Sequence, residues 1–208
     1  MQITDTLFLV VVVIFSAVIH EVMHGVAADK LGDPTARLAG RLTLNPIPHL
    51  DMVGSILLPL ALAFSGSNFF FAWAKPVPYN PYNLRPGRFS EAIVAAAGPL
   101  SNLVIALGMG LIVRLGHLSA EVNAILVLIT VVNVMLFVFN LIPIPPLDGS
   151  KILAPLLPRS LAYEYDRLRT KLEHNPFLGM GLVLLIVLGF GQSFGNFVYG
   201  LARLIAGV

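Results

Sequence analysis

The stretch Leu7-Phe8-Leu9-Val10-Val11-Val12-Val13-Ile14-Phe15-Ser16-Ala17-Val18-Ile19-His20-Glu21-Val22-Met23-His24 decides the class of the chain. From Leu7 to Val18 it carries no charge; two histidines and a glutamate then follow inside the same apolar run, which continues to Ala28. Leu7–Ala28 is long enough to cross a bilayer, for which roughly 20 residues are needed. Ionisable groups at that depth are costly and mark function more often than structure. His20 and His24 stand four apart, so on a helix both imidazoles share one face, one turn from each other. Two neutral imidazoles in that relation can hold one Zn²⁺, and Glu21 is placed to act on a water that the metal activates.

The rest of the composition agrees with a membrane protein. Of 208 residues, 57% are hydrophobic and 12% charged, against about a quarter charged in soluble domains. Once the apolar segments are assigned, no soluble domain of ordinary size remains, and the chain reads as one membrane-embedded domain, 1–208. The first segment lacks a basic leader and carries the candidate site, so it is not expected to be a cleaved signal peptide. Cysteine is absent, which excludes disulfides and a thiolate metal site. The net charge is only +2, and no nucleic-acid partner is expected.

The reading predicts an all-α integral membrane protein of five to six transmembrane or re-entrant helices, with short extended segments at the interface. Ala92–Leu115 and Val122–Leu141 are long enough to span. Asp51–Gly66 is short and contains Gly54 and Pro59. Pro176–Phe190 and Phe194–Ala206 are short and separated by Gly191-Gln192-Ser193. Arg41–Leu44 and Phe69–Val77 read as extended, and could offer a sheet edge to an unwound substrate strand. Phe69–Arg88 contains Pro76, Pro78, Pro81 and Pro86 and cannot be helical; its Trp73, Tyr79 and Tyr82 suit the membrane interface. Ser160–Asn175 reads as an amphipathic surface helix or a loop.

Charge selects a topology. If Asp51–Gly66 dips in and returns, Lys30, Arg37, Arg41, Lys75, Arg85, Arg88, Lys151, Arg159, Arg167, Arg169 and Lys171 share one side. Arg203 joins them if the last two segments form a hairpin, which leaves only Arg114 opposite. The positive-inside rule prefers this arrangement, with the N-terminus outside and the basic loops in the cytosol, to the alternative of a plain six-span bundle in which Asp51–Gly66 crosses fully. It also makes the helices bearing His24 and Asn140 parallel, so that both motifs point toward the cytosolic side.

The second motif is Asn140-Leu141-Ile142-Pro143-Ile144-Pro145-Pro146-Leu147-Asp148-Gly149. A catalytic zinc takes three protein ligands and keeps a fourth position open. His20 and His24 supply two, and Asp148, a lone carboxylate directly after an apolar helix, is the candidate third. Broken backbone at membrane depth is tolerated only where protein buries it or it lines a wet cavity.

The chain here resembles the site-2 protease family of intramembrane zinc metalloproteases. The resemblance rests on His20-Glu21-x-x-His24, on Gly40-Arg41-Leu42-Thr43-Leu44-Asn45-Pro46 with His49, on Ala97-Gly98-Pro99-Leu100-Ser101-Asn102, and on Asn140 through Asp148-Gly149. It spans roughly residues 15–155 and is strongest to short prokaryotic members without a PDZ domain. It implies His20, His24 and Asp148 as zinc ligands, Glu21 as general base, and Asn140 as a group that orients substrate or holds the oxyanion. Gly98, Pro99 and Asn102 are implied as helix-packing positions, with Asn102 able to bond across helices, and His49 either as a group at the water inlet or metal or as a plain membrane-interface histidine. The implied function is hydrolysis of peptide bonds within or near transmembrane segments of membrane proteins, as in regulated intramembrane proteolysis. The implied setting is a prokaryotic inner or plasma membrane, with the site toward the cytosol. The implied partners are a transmembrane protein or peptide substrate and the lipid bilayer. Two other classes fit the residues: a membrane metal transporter and a non-catalytic zinc-binding membrane protein. The first would want a polar path along several helices, and the second leaves Glu21 without a purpose.

Overall fold

The computed structural model describes residues 3–57 and 74–208, and among them every regular element is helical. In chain order the α-helices are α1 (Ile3–Lys30), α2 (Thr35–Leu38), α3 (Ser90–Leu115), α4 (Ala120–Asn140), α5 (Asp148–Leu153), α6 (Arg159–His174) and α7 (Pro176–Ala206), with short helical turns between some of them. Four of them, over Thr6–Lys30, Ser90–Leu115, Ala120–Asn140 and Phe177–Ala206, are long and apolar enough to cross a membrane. The chain divides into two compact units, Met1–Arg85 and Pro86–Val208.

In the first unit α1 turns at its C-terminus into a polar corner organised by Asp33. This fully buried carboxylate accepts from the Thr35 hydroxyl, from the Asn80 amide at 2.6 Å and from Asn83 Nδ2 at 3.0 Å, and so ties the Asn80–Asn83 loop to the end of α1. Burial by itself would raise the Asp33 pKa, but the hydrogen bonds from Thr35, Asn83 and Asn80 outweigh it and the net shift is downward. A depressed folded pKa means that the ionised form stabilises the fold. That stabilisation is complete above the ordinary carboxylate range and is lost as pH falls through the folded value. Asp33→Asn is expected to cost about 1–3 kcal/mol and to flatten the acid side of a plot of Tm against pH. A Tm and acid profile like those of wild type would refute the role of the charge.

In the second unit α3, α4 and α7 pack around Ala106, Val134, Val198 and Ala202. Small residues let these helices approach: a Cβ on Gly110 would stand 2.5 Å from Ile205 Cγ2. In lipid, where apolar contact offers little selectivity, polar pairs fix register. Asn102 Nδ2 donates to Asn133 Oδ1 at 2.9 Å, with both residues fully buried. Asn102 thus bonds across helices, as expected from the sequence, and it joins α3 to α4.

Three segments differ from the sequence reading or fall outside it. Pro176–Phe190 and Phe194–Ala206 are one continuous helix, α7. Gly191 reduces helix propensity by only about 1 kcal/mol, and a break in lipid would leave backbone groups without partners. The C-terminus of α7 therefore lies with that of α3, where Arg114 Nη2 donates to the Leu204 carbonyl, and Arg203 sits at the Arg114 end. Of Asp51–Gly66, only the part up to a wide turn over Met52–Leu57 is described, and residues 58–66 lie outside the described residues. Residues 69–73 of the expected extended piece Phe69–Val77 also lie outside them, while Arg41–Leu44 is irregular rather than stranded. Of the two readings of Ser160–Asn175, surface helix or loop, the structure shows the helix, α6, over Arg159–His174.

Candidate metal centre

His20 and His24 lie on the inner face of α1, at 7% and 8% exposure. Helical spacing brings their Nε2 atoms to 3.0 Å, with the rings edge to face at 84°. Tetrahedral zinc with Zn–N bonds of about 2.0–2.1 Å requires the two nitrogens about 3.3 Å apart. The pair therefore fits a shared metal with an adjustment of a few tenths of an ångström. Gly25, directly after His24, keeps this face open to its neighbours. A Cβ there would stand 2.6 Å from Leu42 Cδ2 and 2.8 Å from Val77 Cγ1.

Glu21 is held from outside its helix. Its Oε2 accepts the backbone N–H of Val77 at 2.9 Å. This contact orients the carboxylate.

In the second unit Asn140 is the last residue of α4, and its Nδ2 donates to the Leu136 carbonyl at 3.0 Å. The chain then turns through Pro143, Pro145 and Pro146, with a cis peptide between the last two, into α5. Asp148 is the first residue of α5, half-buried, and its carboxylate sits in the favourable field of a helix start. Gly149 is pressed against the preceding turn: a Cβ would stand 2.2 Å from the Leu141 oxygen and 2.6 Å from that of Ile142. His20, His24 and Asp148 each offer one donor atom of the kind zinc prefers.

His49 is buried and uses Nε2 on the Thr43 carbonyl at 2.9 Å. It holds the loop around Asn45-Pro46 rather than offering that nitrogen to a metal. His117 and His174 are exposed. Two contributors escaped the sequence reading, the Val77 amide and Arg41. The available signal was Pro76-Val77-Pro78, which isolates one N–H donor between two residues that have none.

Residues 112–186 match the family model described as Peptidase family M50. The chain is 39% identical over 160 residues to "Putative zinc metalloprotease YwhC" of Bacillus subtilis, covering 73% of this chain and 69% of that protein. It is 30% identical over 193 residues to "Putative zinc metalloprotease Rip2" of Mycolicibacterium smegmatis, covering 89% and 69%. To "Zinc metalloprotease MJ0392" of Methanocaldococcus jannaschii it is 30% identical over 114 residues, covering 55% and 32%. No solved structure gives a significant match.

Proposed function

The chain belongs to peptidase family M50, the site-2 protease family of membrane zinc metalloproteases, and on that premise we propose that it cleaves peptide bonds within or near transmembrane segments of other membrane proteins. His20, His24 and Asp148 are the proposed ligands, Glu21 the general base and Asn140 the substrate-orienting amide. The observation that carries the reading is a pair of buried imidazoles whose Nε2 atoms converge to 3.0 Å on a helix apolar enough to cross a bilayer. The donor set His, His, Asp supports zinc over harder cations, which prefer oxygen alone. The two compact units then act as one protease domain. Family membership sets aside the transporter and non-catalytic alternatives.

When bound, zinc supplies Lewis acidity, acidifying a water toward neutrality and polarising the scissile carbonyl. Glu21 accepts a proton from the attacking water and delivers it to the leaving amide nitrogen. Asn140 has one amide N–H on Leu136 and a second for the carbonyl oxygen as charge develops there. A substrate helix hides its carbonyls, so it must unwind before cleavage. Leu42 and Leu44 suit docking of the unwound strand, because among the described residues their backbone N–H and C=O groups take no partner, whereas the Thr43 carbonyl faces His49. Strand addition there uses alternate residues of one edge. Proline at 42 or at 44 removes one donor and is expected to lower kcat/KM about 2–10-fold with Tm retained. Unchanged cleavage in both variants would refute docking at this edge.

The charge distribution supports a cytosolic site, and the bacterial and archaeal relatives support a prokaryotic inner or plasma membrane as its setting. With α7 a single span, Arg203 joins Arg114 on the outer side, and the other Lys and Arg remain inside if residues 51–66 are re-entrant. The decisive experiment is zinc content and cleavage of a model single-span substrate by the purified chain in detergent. We expect about one zinc per chain, with cleavage lost on chelation and restored by zinc. Absence of zinc from active protein would overturn the ligand assignment.

A further inference from the structure

The proposed base depends on a strap far from it in sequence. In Lys75-Pro76-Val77-Pro78 the prolines have no N–H, so Val77 carries the single donor of its immediate neighbourhood, and that donor points at Glu21. The strap is itself tied on its other side. Lys75 N–H donates to the His49 carbonyl at 2.8 Å, and Arg41 Nη2 donates to the carbonyls of Lys75 at 2.9 Å and Pro76 at 3.3 Å. Arg41 is 9% exposed, and among the described residues its buried Nε finds no acceptor. Enclosing a guanidinium to hold two main-chain carbonyls is an expensive way to fix a surface loop. The expense makes sense if the position of that loop matters to chemistry. The start of the clamp is fixed as well, since the Arg41 amide donates to the Ala36 carbonyl at 2.9 Å.

We propose that Arg41 is a positioning residue for the catalytic base: it clamps the Lys75 and Pro76 carbonyls, and the clamped strap sets the Val77 N–H that aims the Glu21 carboxylate. The proposal rests on the reading of Glu21 as the base. Arg41 itself touches neither substrate nor metal. Its loss leaves the two histidines in place on α1 and frees the carboxylate to leave its productive direction.

The test uses the full chain in detergent micelles, read by amide hydrogen exchange and by kinetics on a single-span substrate. In Arg41→Ala the Val77 amide should exchange at least about tenfold faster, while protection along α1 and zinc content stay as in wild type. kcat should fall about 10–100-fold, as expected for a reacting group misplaced by an ångström, with KM nearly constant. Added guanidinium should restore part of kcat. Arg41→Lys, whose single nitrogen can still serve both carbonyls, should fall between Arg41→Ala and wild type. Glu21→Ala, which leaves the clamp whole, should likewise speed Val77 exchange. Wild-type Val77 exchange in either alanine variant would overturn the proposal. So would a loss of kcat in Arg41→Ala that comes with loss of zinc or of α1 protection, since that is the mark of a purely structural arginine. If the wild type cleaves no substrate, the protease reading fails by itself, and the exchange measurement still decides the clamp.

Discussion

Glu21→Gln is expected to abolish proteolysis while leaving zinc in place. A general base contributes about 10²–10⁴-fold; we expect a fall in kcat of about a thousandfold, equivalent to about 4 kcal/mol. The substitution is informative because of how Glu21 is held. Glutamine has the same length and keeps a carbonyl oxygen that can accept the Val77 N–H now received by Oε2. The strap should stay where it is, and the side chain should lose only its capacity to take a proton. His20 and His24 are untouched, so metal content should match wild type. The measurement is kcat on a single-span substrate beside zinc analysis of the same preparations. Residual cleavage within a few fold of wild type would remove Glu21 from the mechanism. Loss of zinc along with activity would mean that Glu21 helps to build the site, as a ligand or through the fold.

Much of this site was legible because it is local. The spacing of His20 and His24 is a helical repeat, and the long uncharged run before them assures the helix. The Pro-rich turn after Asn140 announces itself by composition, and Asp148 is the first charged residue after the uncharged stretch that follows Glu121. Asn102 was readable as a cross-helix group because a buried amide in a membrane needs a partner, though not that the partner was Asn133. What escaped was non-local. The bond from Val77 to Glu21 joins residues 56 apart, and that from Arg41 to Lys75 joins residues 34 apart. No periodicity encodes either contact, and Arg41 entered the sequence reading as a charge on the basic side and as part of an extended family motif, not as a group that holds a distant strap. The division of α7 failed for a different reason. Gly191-Gln192-Ser193 resembles a break by soluble-protein standards, but inside a membrane the hydrogen bonds of an unbroken helix outweigh weak local propensity.

The second large effect is expected at Gly149, where Gly149→Ala should impair the site without altering any proposed ligand. The requirement at this position is space: a Cβ there would lie 2.2 Å from the Leu141 oxygen, 2.4 Å from its carbonyl carbon and 2.6 Å from the Ile142 oxygen. All three are backbone atoms of the turn that ends α4, and no rotamer change can relieve them. Either α5 must move away from that turn or the turn must move away from α5. The first displacement carries Asp148, the residue just before Gly149, and either one changes the relation of Asp148 to Asn140 at the end of α4. Overpacking of this kind costs about 1–3 kcal/mol in stability. The effect on chemistry should be larger, because an ångström of misplacement at a reacting centre costs about a hundredfold. We therefore expect cleavage to fall about a hundredfold, zinc to bind more weakly, and Tm to drop only modestly. Gly110→Ala is the comparison, since it too meets a close neighbour, Ile205, yet belongs to the packing of α3 on α7. It should lower Tm with little change in zinc affinity. If Gly149→Ala instead binds zinc and cleaves like wild type, the close approach between α5 and the Leu141–Ile142 turn does not fix Asp148. If the two variants lose stability and activity in the same proportion, the effect at Gly149 is one of general packing, and Asp148 loses its claim to a position set by this corner.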